Sequence, residues 1–165
     1  MGRSFFLSIH KGVIFLALKK EDKIKLSNIS VAILAGGFGT RLRSKMADKP
    51  KALAEIRRRP FLAYLLDQIS SAGLKEVVIC TGYLGEQVKL TFGNSYAGTN
   101  LTYSQELLPL GTAGALLLAM PFFKSDPILV MNGDSFCEVD LQTFYSWHKG
   151  QDAEASLLLV EVADM

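Results

Sequence analysis

A glycine-rich loop followed by basic residues is the part of this sequence best suited to chemistry. The apolar, uncharged run that ends at Ala35 predicts a buried strand. Gly36, Gly37 and Gly39 lack side chains where the chain leaves this strand, so backbone N–H groups can contact a ligand there. Arg41 adds positive charge close to those N–H groups. A chain of phosphates is the ligand that such a loop favours.

The glycine loop does not fit two familiar phosphate-binding motifs. A dinucleotide-binding fingerprint requires a third glycine, and Leu42 occupies that position. A Walker P-loop requires Gly-Lys-Ser or Gly-Lys-Thr at its end, and no such tripeptide follows. The glycines alone would favour an ordinary turn after a strand. Thr40-Arg41 and then Pro50-Lys51 shift the interpretation to phosphate binding.

Several motifs, in matching order and spacing, resemble a known family from about Ser30 to the C-terminus. Residues 34–42, with Lys49-Pro50-Lys51, resemble the signature of the sugar-phosphate nucleotidylyltransferases, or nucleotide-sugar pyrophosphorylases. Within that family, three stretches look most like the guanylyltransferases of D-glycero-D-manno-heptose 1-phosphate. They are Arg41-Leu42-Arg43-Ser44, residues 110–115 (Leu-Gly-Thr-Ala-Gly-Ala) and residues 132–136 (Asn-Gly-Asp-Ser-Phe).

The resemblance implies transfer of a nucleotidyl group from a nucleoside triphosphate to a sugar 1-phosphate, with release of pyrophosphate. The sugar phosphate oxygen is already an anion, so the obstacle is electrostatic, and cations, backbone N–H groups and Mg²⁺ suit the task. The implied products are nucleotide sugars, such as precursors of lipopolysaccharide or S-layer glycans. By this resemblance the catalytic residues are Arg41, Lys51 and Asp134, and Asp134 is also the Mg²⁺ ligand. The predicted nucleotide-binding residues are Leu34, Ala35, Gly36, Gly37, Gly39, Thr40, Arg41, Lys51, Glu106, Gly111, Thr112 and Asn132.

Four side chains receive specific predicted roles from the resemblance. Arg41 would hold the β- and γ-phosphates, and Lys51 would lie near the α-phosphate, where charge gathers in the transition state. Asp134, after Gly133 at a strand end, would bind the metal, although Gly-Asp alone more often marks a turn. Glu106 lies where the family reads the base, and a carboxylate can accept from guanine N1–H and N2–H₂. This favours GTP, with a solvated loop glutamate as the alternative.

Composition bounds the remaining possibilities. A chain of 165 residues with 49% hydrophobic and 21% charged residues predicts one soluble globular domain. A net charge of +2 is too small to indicate nucleic acid, but eight basic against two acidic residues between Arg41 and Arg59 suit a small polyanion. Cys80 and Cys137 show no metal or redox spacing, which fits a reducing cytoplasm. No membrane partner is expected, while assembly into a homo-oligomer stays open.

Strands that alternate with helices predict an α/β fold with a doubly wound, mostly parallel sheet, which the resemblance makes a Rossmann-like nucleotidyltransferase fold. In such folds ligands bind beyond the carboxyl ends of the strands, where the glycine loop, Gly111 and Asp134 would all lie. We divide the chain into an atypical extension, residues 1–29, and the nucleotide-binding part, residues 30–165. The extension is expected to form a hairpin around residues 10–12 and then a charged linker.

The resemblance also implies residues that do not occur before Met165, namely a second metal-binding Asp and a second Lys for the sugar phosphate. We therefore expect a C-terminally truncated version of the fold that holds the nucleotide. Two other functions stay open: a mannose- or glucose-1-phosphate nucleotidylyltransferase with another nucleotide, and a non-catalytic regulatory subunit that binds nucleotide sugars. Arg41, Lys51 and Asp134 argue against the second, because a sensor could lose any of them.

Overall fold

The computed structural model describes residues 13–16, by their backbone, and residues 25–37 and 49–159. The strands, in chain order, are β1 (Val13–Leu16), β2 (Ser30–Ala35), β3 (Glu55–Ile56), β4 (Arg59–Pro60), β5 (Glu76–Thr81), β6 (Ser95–Tyr96), β7 (Thr99–Gln105), β8 (Ile128–Asn132) and β9 (Ala155–Leu157). The α-helices are α1 (Phe61–Ser71), α2 (Gly85–Phe92), α3 (Gly111–Ala119) and α4 (Leu141–Gly150). Single 3₁₀ turns lie at Leu26–Asn28, Lys51–Leu53 and Met120–Phe122.

Among the described residues, seven strands form one sheet in the order β6-β7-β5-β2-β8-β1-β9. The four strands β7, β5, β2 and β8 run parallel, whereas β6 pairs antiparallel with β7 and β1 pairs antiparallel with both β8 and β9. β3 and β4 form a separate two-stranded hairpin. The sheet is therefore mixed but mostly parallel, as the alternation of strands and helices predicts.

The central strands are buried on both faces because helices cover both sides of the sheet. On one face Val31, Ile33 and Ile79 pack with α1, α2 and α4 in the main core. On the other face Val78 and Cys80 pack against α3. This double burial explains why β2, β5 and β8 read as continuous apolar runs rather than as alternating patterns.

Local sequence signals account for the helix ends. α1 follows Pro60, whose fixed φ suits a helix start, and it buries an apolar stripe that includes Leu62, Leu66 and Ile69. The helix ends before Gly73, which has φ +81° and provides the left-handed residue of the C-terminal turn. The Asp140 carboxylate caps α4 by accepting a hydrogen bond from the backbone N–H two residues further on.

Some expected elements differ in extent. Residues 52–56 are predicted as extended, but Lys51–Leu53 forms a 3₁₀ turn and the strand is confined to Glu55–Ile56. The strand expected over residues 155–162 is Ala155–Leu157, and its last predicted residues lie outside the described part. The first arm of the expected N-terminal hairpin also lies outside it. The arm that the structure describes, β1, enters the main sheet between β8 and β9. No helix in the described ranges is long and apolar enough to cross a membrane.

Candidate functional site

The carboxyl ends of four neighbouring strands meet at one edge of the sheet. In register, Leu34 of β2 lies opposite Asn132 of β8, and Ala35 lies opposite Thr81 of β5. Thr81 in turn lies opposite Gln105 of β7. Because these strands are parallel and in register, the loops that follow them leave the sheet side by side. This is the edge at which open α/β sheets bind their ligands.

A cavity of about 560 Å³ opens at this edge. Its walls come from the loops after β2, β7 and β8, from the turn that contains Lys51, and from the start of α3. The lining residues are Leu34, Ala35, Gly36, Gly37, Lys51, Ala52, Cys80, Glu106, Pro109, Gly111, Thr112, Ala115, Asn132, Gly133, Asp134 and Ser135. A volume of this size lies within the range usual for small-molecule and cofactor sites.

Glycines allow the loops around the cavity to approach one another closely. A Cβ on Gly82 would lie 2.6 Å from the carbonyl oxygen of Gly36, and a Cβ on Gly133 would lie 2.7 Å from the carbonyl oxygen of Leu34. Either contact is closer than a real Cβ tolerates, so a side chain at either position would push the backbone apart. A Cβ on Gly37, in contrast, would meet no described atom within 4 Å. Among the described residues, nothing therefore packs against the Cβ position of Gly37.

Two hydrogen bonds position Glu106 at the cavity wall. Its backbone N–H donates to the carbonyl oxygen of Thr81 at 2.9 Å, which continues the β5–β7 ladder by one residue. Its carboxylate Oε2 accepts a hydrogen bond of 3.0 Å from the backbone N–H of Leu110. Its Oε1 lies where a Cβ on Gly36 would be only 2.7 Å away. Gly36 thus makes room for the Glu106 carboxylate, a packing role that the sequence did not indicate.

Lys51 and Asp134 form an ion pair across the cavity, with 2.5 Å between Nζ and Oδ2. Both side chains are partly exposed, at 38% and 44%. Partial burial acts to raise the pKa of Asp134, but the hydrogen bond and charge of Lys51, together with the Ser135 hydroxyl, outweigh it and lower that pKa. The carboxylate is therefore ionised and available to a cation.

The structure brings ten of the predicted site residues to the wall of this one cavity: Leu34, Ala35, Gly36, Gly37, Lys51, Glu106, Gly111, Thr112, Asn132 and Asp134. Gly39, Thr40 and Arg41 lie outside the described residues. Gly111 has φ +68°, a conformation that favours glycine and that lets α3 start directly at the cavity. The roles assigned to these residues stay predictions.

Sequence reasoning missed several residues that line the cavity, among them Ala52, Pro109, Ala115 and Ser135. Ser135 could have been found, because it directly follows Asp134 in the Asn-Gly-Asp-Ser-Phe motif. The others have no distinctive side chain, and only the fold places them there.

Cys80 also lines the cavity but is not a reactive group. The side chain is 2% exposed, and burial raises the pKa of the thiol to about 12, with a smaller contribution from the Glu106 charge. A thiol with so high a pKa is protonated at neutral pH and is a poor nucleophile. Cys80 is a small core residue, packed in the cluster that contains Val78 and Ala119.

The metal-binding potential of the cavity rests on Asp134. Within the described ranges there is no group of three or more His, Cys, Asp or Glu side chains that could hold a metal ion without help. Mg²⁺ does not require such a group, since it commonly binds one or two carboxylates together with substrate phosphates. An ionised, partly exposed Asp134 beside an open cavity fits that mode of binding.

Comparison with known proteins identifies the family. Residues 30–165 match the family model described as nucleotidyl transferase. The chain belongs to the nucleotidyl transferase family. It is 38% identical over 127 residues to D-glycero-alpha-D-manno-heptose 1-phosphate guanylyltransferase from Aneurinibacillus thermoaerophilus. The aligned residues cover 77% of this chain and 55% of the relative. It is 35% identical over 137 residues to mannose-1-phosphate guanyltransferase from Yarrowia lipolytica, which covers 80% of this chain and 38% of the relative.

Solved structures agree with this nucleotidyl transferase assignment. HddC from Yersinia pseudotuberculosis, in a crystal structure with GMP-PN, is 31% identical with a TM-score of 0.65, over 72% of this chain and 53% of HddC. A glucose-1-phosphate thymidylyltransferase candidate from Bacillus anthracis gives a TM-score of 0.68 at 26% identity, over 75% of this chain and 51% of that one. The fold is thus the Rossmann-like nucleotidyltransferase fold expected from the sequence. The chain spans about half the length of the heptose relative and of both solved structures.

Proposed function

We propose that the cavity binds a nucleoside triphosphate, preferentially GTP, for transfer of its nucleotidyl group to a sugar 1-phosphate, with a heptose 1-phosphate as the leading acceptor. The observation that carries the proposal is the convergence of Lys51, Asp134 and Glu106 on one cavity. The chain that holds this cavity belongs to the nucleotidyl transferase family. Its similarity to guanylyltransferases of heptose and mannose 1-phosphate supports both the base and the type of acceptor.

The reaction needs no group that removes a proton. An oxygen of the sugar phosphate forms a bond to the α-phosphorus, and the bond from that phosphorus to the bridging oxygen of the leaving group breaks. The electron pair of the broken bond leaves with pyrophosphate. Negative charge therefore accumulates around the α-phosphorus while two anions approach. A cation held at that place stabilises the transition state more than the separated reactants.

Lys51 is the described cation best placed for this task. It lies in the wall of the cavity, and its ammonium group is partly exposed and can reach a ligand without leaving its turn. Its present partner is Asp134, so a bound phosphate would compete with that carboxylate for Nζ. Arg41, which the resemblance assigns to the β- and γ-phosphates, would supply a second cation from the residues that follow Gly37 in the sequence.

Mg²⁺ is the cofactor we propose, with Asp134 as its protein ligand. When bound, Mg²⁺ would neutralise phosphate charge and help to orient the triphosphate. Asp134 carries the negative charge that would hold the ion, because its pKa is lowered and its carboxylate is ionised at neutral pH. Ser135, whose hydroxyl lies 3.2 Å from the other Asp134 oxygen, keeps that carboxylate in a defined orientation.

Glu106 is the residue we propose to read the base. The hydrogen bond from the Leu110 N–H orients Oε2, whereas Oε1 has no hydrogen-bond donor among the described residues. Guanine offers two adjacent donors, N1–H and N2–H₂, that a carboxylate can accept, whereas uracil and thymine offer one. The backbone from Leu110 to Gly111 borders the same part of the cavity and can contribute further contacts to the base.

We also propose that the protein acts in a reducing cytoplasm and needs no nucleic-acid or membrane partner. Its role there would be the synthesis of nucleotide sugars for glycans such as lipopolysaccharide or S-layer polymers. Both cysteines are free in the structure, in keeping with that compartment. Mannose 1-phosphate is the second candidate acceptor, because relatives with that specificity are 35% identical to this chain.

Calorimetric titration with Mg²⁺ and each of GTP, ATP, CTP, UTP and dTTP tests the nucleotide part of the proposal. GTP should bind most tightly, and Glu106→Gln should reduce its advantage over the other nucleotides. Formation of GDP-sugar and pyrophosphate from heptose 1-phosphate, mannose 1-phosphate and glucose 1-phosphate tests the reaction. Failure of every triphosphate to bind would refute the proposal. Binding without transfer would show that this chain holds the nucleotide but does not complete the reaction by itself.

A further inference from the structure

The strand position between β8 and β9 is filled by a segment from outside the family match. The match covers residues 30–165 and includes both β8 and β9. Within the described residues these two strands do not pair with each other, because β1 lies between them. β1 comprises Val13–Leu16 and therefore lies wholly in the N-terminal extension. In this chain, the described residues of the family match thus leave one position in the sheet, and a strand from outside the match fills it.

All four residues of β1 pair with β8, and three of them also pair with β9. Against β8 it is antiparallel, from Val13 opposite Met131 to Leu16 opposite Ile128. Against β9 it is also antiparallel, and its residue 16 lies opposite Ala155. A four-residue strand that is paired on both sides is held in place by backbone hydrogen bonds. These bonds do not depend on a particular side-chain sequence.

The position cannot stay vacant without cost. All but the last residue of β8 are buried, with Leu129 at 0%, Val130 at 1% and Met131 at 2% exposure. If β1 were absent, the backbone N–H and C=O groups along one edge of this buried strand would lose their partners, and β9 would lose its own sheet neighbour. Unpaired edges of this kind attract other strands.

The occupant of this position is not part of the family match, because residues 1–29 lie outside it. A position held by backbone pairing can accept another extended segment, and such a position is an acceptor site for a strand. We propose that the space between β8 and β9 is such an acceptor, that it takes an extended peptide segment antiparallel to β8, and that β1 of the same chain is its replaceable occupant.

The acceptor site lies next to the candidate functional site, so the strand that occupies it also supports residues of that site. The β1–β8 ladder ends with Val13 opposite Met131, the residue just before Asn132. Asn132 and the following Gly133 and Asp134 line the cavity. The strand in the acceptor therefore holds one side of the strand end that carries Asp134, while β2 holds the other side.

A cross-link tests which segment occupies the acceptor. Residues directly paired in an antiparallel ladder have Cα atoms about 4.5–5.5 Å apart, which lies within the range of about 4.4–6.8 Å that disulfides accept. Leu16→Cys combined with Ala155→Cys joins paired positions, and Ala155 is exposed, so the change there is mild. The control is Phe15→Cys combined with Ala155→Cys, in which the cysteine on β1 is moved by one residue. Adjacent residues of a strand point to opposite faces, so the two cysteines of the control should not meet.

Oxidation should give a disulfide-linked monomer with the paired variant and little product with the shifted control. No difference between the two would refute the placement of β1. A disulfide-linked dimer would assign the acceptor to the strand of a second copy and would overturn the intramolecular assignment. Both variants retain Cys80 and Cys137, so the comparison controls for reaction of the native thiols.

A labelled peptide with the sequence of residues 10–19 tests whether the occupant can be replaced. It should bind the reduced paired variant severalfold more tightly than the oxidised one, in which β1 is locked in place, and a scrambled peptide should not distinguish them. Phe15→Pro, which weakens a central strand, should increase peptide binding further in the full chain. Should that variant fail to fold, the reduced and oxidised forms still decide the matter. Equal binding to both forms would show that the position is not an acceptor site.

Discussion

Lys51 Nζ lies 2.5 Å from Asp134 Oδ2, although the two residues are 83 positions apart in the chain. The proposed cation for the α-phosphate and the proposed ligand for the metal thus neutralise each other when neither partner is bound. Binding of a metal nucleotide would exchange one ion pair for two new ones, from Lys51 to phosphate and from Asp134 to the metal. Because both side chains are partly exposed, the original pair is screened by water and is easily opened.

Lys51→Ala should lower the rate of nucleotidyl transfer about 10²–10³-fold, while it changes the affinity for GTP far less. The reason is that charge at the α-phosphorus is greatest in the transition state. Pyrophosphate release and calorimetric titration measure the two effects. Lys49→Ala is a matched control, because Lys49 pairs with Glu55 on the surface and does not line the cavity. An unchanged rate with weakened GTP binding would assign Lys51 to ground-state binding alone.

Glu106→Gln should reduce the preference for GTP over the other triphosphates by about 1–3 kcal/mol, because an amide that keeps its oxygen towards Leu110 would turn a donor towards the donors of guanine. Dissociation constants for the four ribonucleotides measure the preference. Glu86→Gln removes the same charge from an exposed position on α2 and should leave the preference unchanged. Identical ratios for both variants would mean that the backbone alone reads the base.

Replacement of Arg57-Arg58 by Asn-Gly should stabilise the protein by about 1 kcal/mol. These two residues form the two-residue turn between β3 and β4, and both have positive φ, at 52° and 65°. Asn and Gly adopt that conformation with less strain than arginine. Thermal and urea unfolding measure the change. Gln-Gln at the same positions removes the charge but keeps the strain, so equal gains from both replacements would point to charge instead.

Much of the fold follows from local pattern. β5 has the bounds that its apolar run predicts, Glu76–Thr81, because a strand buried on both faces must be apolar throughout. α1 follows from an apolar stripe between Pro60 and Gly73. The meeting of the glycine loop, Glu106 and Asp134 at one edge could also be predicted, since parallel strands place their carboxyl ends together.

The remaining features depend on contacts between distant residues or on strained backbone. The β3–β4 hairpin was not predicted, because Arg57-Arg58 carries none of the usual turn residues. The insertion of β1 between β8 and β9 has no local signal, since backbone pairing is indifferent to most side chains. The contact of Glu106 with Gly36 could not be seen either, because it depends on the exact register of β7 with β5.

The protein should become more stable as pH rises towards neutrality, through His148. The side chain is 4% exposed, its Nδ1 lies 2.8 Å from Ser156 Oγ, and burial lowers its pKa below the usual 6.5. Between the lowered pKa and 6.5 the unfolded chain binds a proton that the folded chain does not, so the free energy of unfolding increases with pH across that window and the gain is complete above it. Urea unfolding from pH 5 to pH 8 measures this slope. His148→Gln should flatten it, and an unchanged slope in that variant would contradict the assignment.

Gly36→Ala should impair base selection without a large loss of stability. Its new Cβ would lie 2.7 Å from Glu106 Oε1, which is the far end of a flexible side chain, so the carboxylate can swing away while the backbone stays in place. The preference for GTP should then fall towards that of Glu106→Gln.

Gly82→Ala is the contrasting variant, because its Cβ would meet the backbone oxygen of Gly36 at 2.6 Å and the strand ends would have to separate. It should lower the melting temperature clearly. A Cβ on Gly37 would meet no described atom within 4 Å, so Gly37→Ala should change neither base preference nor stability through packing. Melting curves and the four nucleotide affinities on all three variants measure both properties. A Gly36→Ala protein that keeps its full preference for GTP would show that the position of the Glu106 carboxylate does not determine which base is bound.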